Sequence, residues 1–278
     1  MRALVIGHRG MLGTDLMDHL ATGGHEAVGL DLPELDITDR RRVIRRVSEA
    51  APDVVFHLAA WTDVDAAEDH EEQALMVNGE GTRNVAIAAR EAGADLVAVS
   101  TDYVFPGTGG PYCEDDATDP IQAYGRTKLA GERLAELEYP EGTRIARTAW
   151  LYGANGRNFV DTMIGLGQDP SRDHVDVVAD QEGCPTWTRD LCPALVEIAA
   201  LPPGVYHAAG GGTTTWAGFA REAFRLADVD CEVRDTTTEA FNQPAPRPAV
   251  SVLEATHEGA PRLRAWEDAL ADYIRERS

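Results

Sequence analysis

A chain of 278 residues with 44% hydrophobic content can bury a sizeable core as one large or two smaller domains. Its formal charge of −22 argues against nucleic acid as a partner, because an acidic surface repels polyanions. No run approaches the ~20 apolar residues of a membrane span, and residues 1–7 enter a strand pattern with no signal-peptide layout, so a soluble cytoplasmic protein with no membrane partner is expected.

The first apolar run, Ala3-Leu4-Val5-Ile6-Gly7, reads as a strand. It leads into Gly7-His8-Arg9-Gly10-Met11-Leu12-Gly13, a GxxGxxG turn that opens a helix. Glycines there permit a tight turn and close approach of backbone to a pyrophosphate, and the helix N-terminus supplies N–H donors and partial positive charge. All seven residues are therefore candidates for binding a dinucleotide. The second strand, residues 26–31, ends in Asp31, whose carboxylate would bond an adenosine ribose and repel a 2′-phosphate. Arg9 would instead attract that phosphate, so NADPH and NADH both stay open. Asp36 and Ile37 are candidates to border the adenine, with helix capping the equal alternative for Asp36. The third strand, residues 53–60, ends in Leu58-Ala59-Ala60, small residues against which a cofactor can lie, although plain packing also explains them.

Acids such as those in Glu68-Asp69-His70-Glu71-Glu72 are dispersed through helices, as on a uniformly solvated surface. A helical pattern follows over residues 74–92. The fourth strand, residues 96–101, ends in Ser100-Thr101-Asp102-Tyr103-Val104-Phe105, placing hydroxyls at the carboxyl edge of a parallel sheet, where open α/β sheets bind ligands. Thr101 is suited there to donate to a substrate carbonyl. Tyr124 and Lys128 stand at i and i+4 of a helix, so phenol and ammonium share one face and the charge is expected to favour the tyrosinate, which makes a general acid of a phenol. Of 25 Lys and Arg residues, Lys128 is the single lysine. A compact ammonium with three donors can also hold a ribose hydroxyl, which a planar guanidinium does less well. Scarce lysine and abundant acid together read as adaptation to a salt-rich cytoplasm, where at ~1 M salt a Debye length of about 3 Å screens self-repulsion.

A fifth strand covers residues 144–150. Beyond residue 153 the alternation is less regular, with strands near 175–181 and 204–209, a Gly/Thr-rich turn at 210–215 and a Pro-rich loop at 243–248. Strand–helix alternation implies an α/β, Rossmann-like, doubly wound parallel sheet in residues 1–153. Residues 154–278 are expected to form a smaller C-terminal substrate-binding lobe, with segments near 175–209 returning to the sheet. Cys113, Cys184, Cys192 and Cys231 show no CxxC and no Cys/His pairing at zinc spacing, so free thiols and no metal site are expected.

These motifs, with Thr62-Asp63-Val64-Asp65, the run from Ser100 through Gly110, Tyr124-Gly125-Arg126-Thr127-Lys128, Arg147-Thr148-Ala149-Trp150-Leu151-Tyr152-Gly153, Gly210-Gly211-Gly212-Thr213-Thr214-Thr215-Trp216 and Arg247-Pro248, resemble the extended short-chain dehydrogenase/reductase family. Within it they are most similar to the reductases that complete dTDP-rhamnose synthesis. The resemblance implies reduction of the C4 carbonyl of dTDP-4-dehydro-6-deoxy-L-mannose by NADPH or NADH. Tyr124 would protonate the alkoxide, Lys128 would assist it and hold the nicotinamide ribose, and Thr101 would orient the carbonyl. It adds Thr62 and Ser100 to the cofactor contacts and places Asp65, Asp102, Trp150 and Arg247 near the nucleotide sugar. Core packing competes for Trp150, and capping or exposure for Asp65. After Arg247-Pro248 the chain reads Ala249-Val250-Ser251, where the family has a small residue, Asn and Ser, so a polar contact near the nucleotide is expected to be missing. Some members bind magnesium through glutamates at a dimer contact; Asp15 takes the N-terminal position, the positions of the other ligands are not assigned, and magnesium and a homodimer are left open. The alternatives are another nucleotide-sugar epimerase or dehydratase, or a regulatory subunit that binds a dinucleotide without catalysis.

Overall fold

The computed structural model describes residues 1–277. The strands β1 (Arg2–Ile6), β2 (Glu26–Leu30), β3 (Val54–His57), β4 (Asp95–Thr101) and β5 (Thr143–Thr148) alternate with the helices α1 (Met11–Thr22) and α2 (Arg40–Ala50), a broken helical run over residues 64–92, and a long helix, Ala123–Glu138. A sixth strand, Gly204–His207, joins β5 and completes a parallel sheet ordered Gly204–His207, β5, β4, β3, β1, β2. Alternate side chains of one strand feed two cores. Leu4 and Ile6 of β1 pack with Val43 and Val47 of α2, while Ala3 and Val5 pack with Leu12, Leu16 and Leu20 of α1 and with Leu191, Leu195 and Ile198 of the helix Thr188–Ala199. Burying each such Leu or Ile contributes about 1.5–3 kcal/mol, which explains why β1, β3 and β4 read as nearly unbroken apolar runs.

Two expectations are corrected. The helix over residues 74–92 is not continuous: it consists of Glu71–Leu75, a π-helix at Met76–Gly81, and Thr82–Ala92. Gly79 and Gly81 weaken regular helix there, and Asn78 is drawn inward. Its Oδ1 accepts from Trp61 N at 2.8 Å, and its Nδ2 donates to Trp61 O and Thr127 Oγ1, both at 3.1 Å. The strand near residue 175 does not return to the large sheet. His174–Val178 pairs with Glu232–Thr236 instead, and Val175 and Val177 bury against Ala217, Ala220 and Phe224 of the helix Trp216–Leu226. The segments that do return are Thr188–Ala199 and Gly204–His207. A separate aromatic core contains Tyr152, Trp187, Phe219, Trp266 and Tyr273. No helix among the described residues is long and apolar enough to cross a membrane.

Candidate active site

Strand order reverses at β1, with β2 on one side and β3 on the other, so a crevice opens at the carboxyl ends of β1, β3 and β4. It holds a cleft of about 740 Å³. Gly7 has φ +90°, and a Cβ there would lie 2.6 Å from Ala59 N; at Gly13 a Cβ would lie 2.1 Å from Gly7 O. Both positions therefore require glycine for close approach. Gly10 meets nothing nearer than 3.4 Å and heads α1 with no side-chain cap and no acid in the first turn, leaving free N–H groups at the cleft. An uncapped helix end beside a floor of Leu58, Ala59 and Ala60 fits a dinucleotide pyrophosphate. Ser100 Oγ and Thr148 Oγ1 are buried at the cleft wall without a hydrogen-bond partner among the described residues, which also fits a polar ligand.

Met11, Leu12, Asp31, Asp36, Ile37 and Thr62 line the cleft. Asp36 accepts from Thr38 N at 2.9 Å and Thr38 Oγ1 at 2.7 Å, whereas the cap of α2 is Asp39, so the capping alternative for Asp36 falls. The side chains of His8 and Arg9 depart from expectation, since neither residue lines the cleft. The His8 ring lies against Gly29, where a Cβ would come within 2.5 Å of it. The Arg9 guanidinium turns to Leu32 O at 2.5 Å and Glu34 Oε1 at 2.7 Å, while Arg9 N donates to Asp31 Oδ2 at 3.0 Å.

At the other end stand Thr101, Asp102, Tyr124, Lys128 and Trp150. Gly125 brings the first four together: a Cβ there would strike Tyr103 O at 2.1 Å, so only glycine lets the helix Ala123–Glu138 reach the turn that follows β4. Glu68 Oε1 caps that helix by accepting from Ala123 N at 2.7 Å. Lys128 Nζ donates to Val99 O at 2.7 Å, and burial pushes the ammonium down to about 8, opposed by the Glu132 carboxylate. Glu132 in turn holds Arg147 in a buried ion pair at 2.7 Å.

Lys128 was expected to favour the tyrosinate. The phenol is instead pushed up, first by burial and then by the Asp102 charge, with only the Thr101 hydroxyl opposing, and Lys128 is not among the causes. Desolvation of a largely buried phenol outweighs a neighbouring charge whose ammonium is turned toward a backbone carbonyl. Thr101 differs as well. Its hydroxyl donates to Asp102 Oδ1 at 2.9 Å and accepts from Tyr103 N at 3.2 Å, so its one proton is committed within the protein. Burial raises Asp102 to about 6, opposed by the hydroxyls of Ser251 and Thr101. The Ser251 hydroxyl itself donates to Glu182 O at 3.4 Å.

Trp150 lines the cleft and also packs. It adopts φ +46°, stacks on Trp216 with centroids 3.6 Å apart, and lies over Gly183, where a Cβ would fall 2.3 Å from its ring. Asp65 and Arg247 do not line the cleft. They pair with each other, Arg247 Nη2 donating to Asp65 Oδ1 at 2.9 Å, and the same oxygen accepts from Ala245 N at 3.1 Å. Asp15 is buried, with Oδ1 accepting from Asn155 Nδ2 at 2.9 Å and Oδ2 from the Thr188 hydroxyl, an arrangement that spends both oxygens on protein donors. Among the described residues no group of three or more His, Cys, Asp or Glu is gathered to hold a metal. Sequence reasoning missed Thr148, Arg157 and the fixing of the Trp61 loop by Asn78. Of these only Asn78 carried a signal, a polar residue beside two glycines inside a helical pattern.

The family model described as RmlD substrate binding domain matches residues 1–278. The chain is 48% identical to a dTDP-4-dehydrorhamnose reductase of Streptomyces griseus, over 98% of this chain and 92% of the relative. It is 42% identical to a dTDP-4-keto-6-deoxy-D-glucose reductase of Streptomyces niveus, over 97% and 95% of the two chains. A crystal structure of dTDP-4-dehydrorhamnose reductase from Bacillus anthracis in complex with NADP superposes with a TM-score of 0.95 at 36% identity, covering 99% of each chain.

Proposed function

This chain belongs to the RmlD substrate binding domain family, and from that premise we propose that it reduces the C4 carbonyl of dTDP-4-dehydro-6-deoxy-L-mannose to give dTDP-L-rhamnose, with NADPH or NADH as reductant. The carrying observation is that Thr101, Tyr124 and Lys128 line the same cleft as the glycine turn. The coenzyme, when bound, supplies the hydride that reaches the carbonyl carbon. The remaining work falls to the chain. Burial and Asp102 hold the Tyr124 phenol above its ordinary range, so it stays protonated at neutral pH and can deliver that proton to the alkoxide oxygen. Lys128 spends one of its three protons on Val99 O and keeps two for ribose hydroxyls and for the phenolate that Tyr124 becomes. A carbonyl oxygen arriving beside Thr101 competes with Asp102 for the hydroxyl proton, and winning it stabilises the developing charge. Trp150, stacked on Trp216, offers an aromatic wall for the sugar.

The test is loss of NADPH or NADH absorbance with dTDP-4-dehydro-6-deoxy-L-mannose, beside Tyr124→Phe. Oxidation that the variant loses supports the reading. No oxidation by folded protein with either coenzyme sinks it and leaves another nucleotide-sugar enzyme or a regulatory subunit. Because one relative is named for dTDP-4-keto-6-deoxy-D-glucose, that sugar is the second substrate to assay. The same reading includes a cytoplasmic location and a homodimer, the latter measurable by light scattering. The charge of −22 beside a single lysine supports adaptation to salt, measurable as activity that rises toward ~1 M KCl.

A further inference from the structure

The cleft wall is poor in positive charge for a ligand that carries a pyrophosphate. Its charged lining groups are Asp31, Asp36, Asp102, Lys128 and Arg157. Lys128 is at the catalytic end, bonded to Val99 O, and Arg9 is spent on Leu32 O and Glu34 outside the lining. The α1 N-terminus contributes only about half a positive charge. Arg157 remains. It is exposed, and among the described residues it makes no hydrogen bond or ion pair, although the chain offers 47 acidic side chains.

Its position is built from several directions. The loop of residues 153–158 is tied to α1 by Asn155 Nδ2, which donates to the buried Asp15 Oδ1 at 2.9 Å, and Thr188 holds the other Asp15 oxygen. Asn158 Nδ2 donates to Gly153 O at 2.9 Å and to Tyr273 Oη at 3.1 Å, fixing the loop's far end in the second lobe. Between these ties Gly156 sits against Met11, where a Cβ would fall 3.0 Å from the Met11 Cβ, so the loop lies directly over the glycine turn.

We propose that Arg157 is the ionic anchor of the coenzyme pyrophosphate and that Asn155, held by Asp15, is the residue that positions it. A planar guanidinium can donate two parallel hydrogen bonds to phosphate oxygens, adding charge where the helix end supplies only N–H groups. In a chain of charge −22 such an anchor also offsets the field that a dinucleotide must enter. The proposal rests on the coenzyme reading of the cleft given above.

The test uses the full chain and equilibrium binding, with NADPH followed by its fluorescence and ADP-ribose and dTDP by calorimetry. Arg157→Ala is expected to weaken NADPH and ADP-ribose about ten- to a hundredfold, the range for losing a charge-assisted pair, and to flatten the fall in affinity with added KCl. dTDP should bind as before, and Arg157→Lys should recover part of the loss. Asn155→Ala should weaken NADPH in wild-type background but add nothing to Arg157→Ala, a non-additivity that general loosening of the fold would not give. Unchanged NADPH and ADP-ribose affinity in Arg157→Ala, or a loss confined to dTDP, overturns the assignment. A wild-type chain that binds neither NADPH nor ADP-ribose overturns the coenzyme reading itself, and the anchor with it.

Discussion

The two ends of the cleft are built by different means. At the end proposed for the coenzyme the construction is backbone: Gly7 and Gly13 are packed so closely that a Cβ would overlap Ala59 N or Gly7 O, and α1 begins with no side-chain cap. At the catalytic end they are enclosed side chains, with Thr101, Asp102 and Lys128 each no more than 7% exposed and Asp102, Tyr124 and Lys128 displaced from their ordinary pKa values chiefly by burial. The first end is a shape that tolerates no added atoms. The second is a balance of charges that tolerates atoms better than it tolerates a changed proton.

The sharpest way to separate the ends is Tyr124→Phe. Losing one positioned proton donor is expected to lower kcat by about 10²–10⁴-fold while leaving NADPH affinity near that of the wild type. Stopped-flow turnover and a fluorescence titration measure the two quantities independently, and a matching collapse of coenzyme affinity would mean that the ends are one unit.

A pair of glycine substitutions asks the same question through sterics. Gly13→Ala would place its Cβ 2.1 Å from Gly7 O, and Gly125→Ala would place one 2.1 Å from Tyr103 O. Each overpacked site should cost about 1–3 kcal/mol of stability, visible as a lower melting temperature. Gly13→Ala should weaken NADPH at least about tenfold, since turn and helix end must part. Gly125→Ala should instead lower kcat with NADPH affinity kept, because it displaces Tyr124 from Thr101. Identical profiles for the two variants would erase the distinction.

Charge at the catalytic end is tested by pH. Lys128 stands at about 8 because burial lowers it and Glu132 raises it. The alkaline limb of kcat/KM is expected near that value in the wild type, as the ammonium is lost. Glu132→Gln leaves burial unopposed, so the limb moves to lower pH, and Glu132→Asp should restore part of the shift. The stability consequence has a definite sign. A folded-state value below the reference of ~10.4 means that the unfolded chain binds the proton more tightly, so this lysine's contribution to stability rises with pH from about 8 to ~10.4 and is least favourable below 8.

The same contrast decides what could be read from the sequence. The glycine turn was legible because backbone geometry demands glycine at fixed spacing, and the residues of β1, β3 and β4 were legible because burial on both faces demands apolar runs. Tyr124 and Lys128 were legible as a pair on one helix face, but the direction of the phenol's shift was not, since it depends on burial of the ring by the fold and on the charge of Asp102. The π-helix at Met76–Gly81 was hidden because Asn78 owes its conformation to Trp61 and Thr127, which stand 17 and 49 residues away. The partner of Arg247 was hidden for the same reason, Asp65 lying 182 residues from it. Arg157 carries no motif of its own, and it is placed over the turn by contacts distant in sequence, Asn155 with Asp15 and Gly156 with Met11.

The smallest expected effect lies at the rim of the coenzyme end, where the opposed signals of Asp31 and Arg9 take a definite form. Asp31 Oδ2 accepts from Arg9 N, so the acid and the arginine backbone form one turn, and the guanidinium is drawn away to Glu34 and Leu32 O. A 2′-phosphate would have to take that guanidinium from Glu34. The Arg9–Glu34 pair is half exposed, at 50% and 45%, and exposed pairs hold by about 1 kcal/mol or less. Glu34→Gln should therefore raise affinity for NADPH relative to NADH by no more than about fivefold, while Arg9→Ala should lower that ratio and leave NADH nearly unchanged. Asp31→Ala should act in the opposite sense on NADH, which loses its ribose acceptor. Equal ratios across wild type, Glu34→Gln and Arg9→Ala, measured by competition of the two coenzymes at fixed KCl, would place coenzyme choice with Asp31 alone.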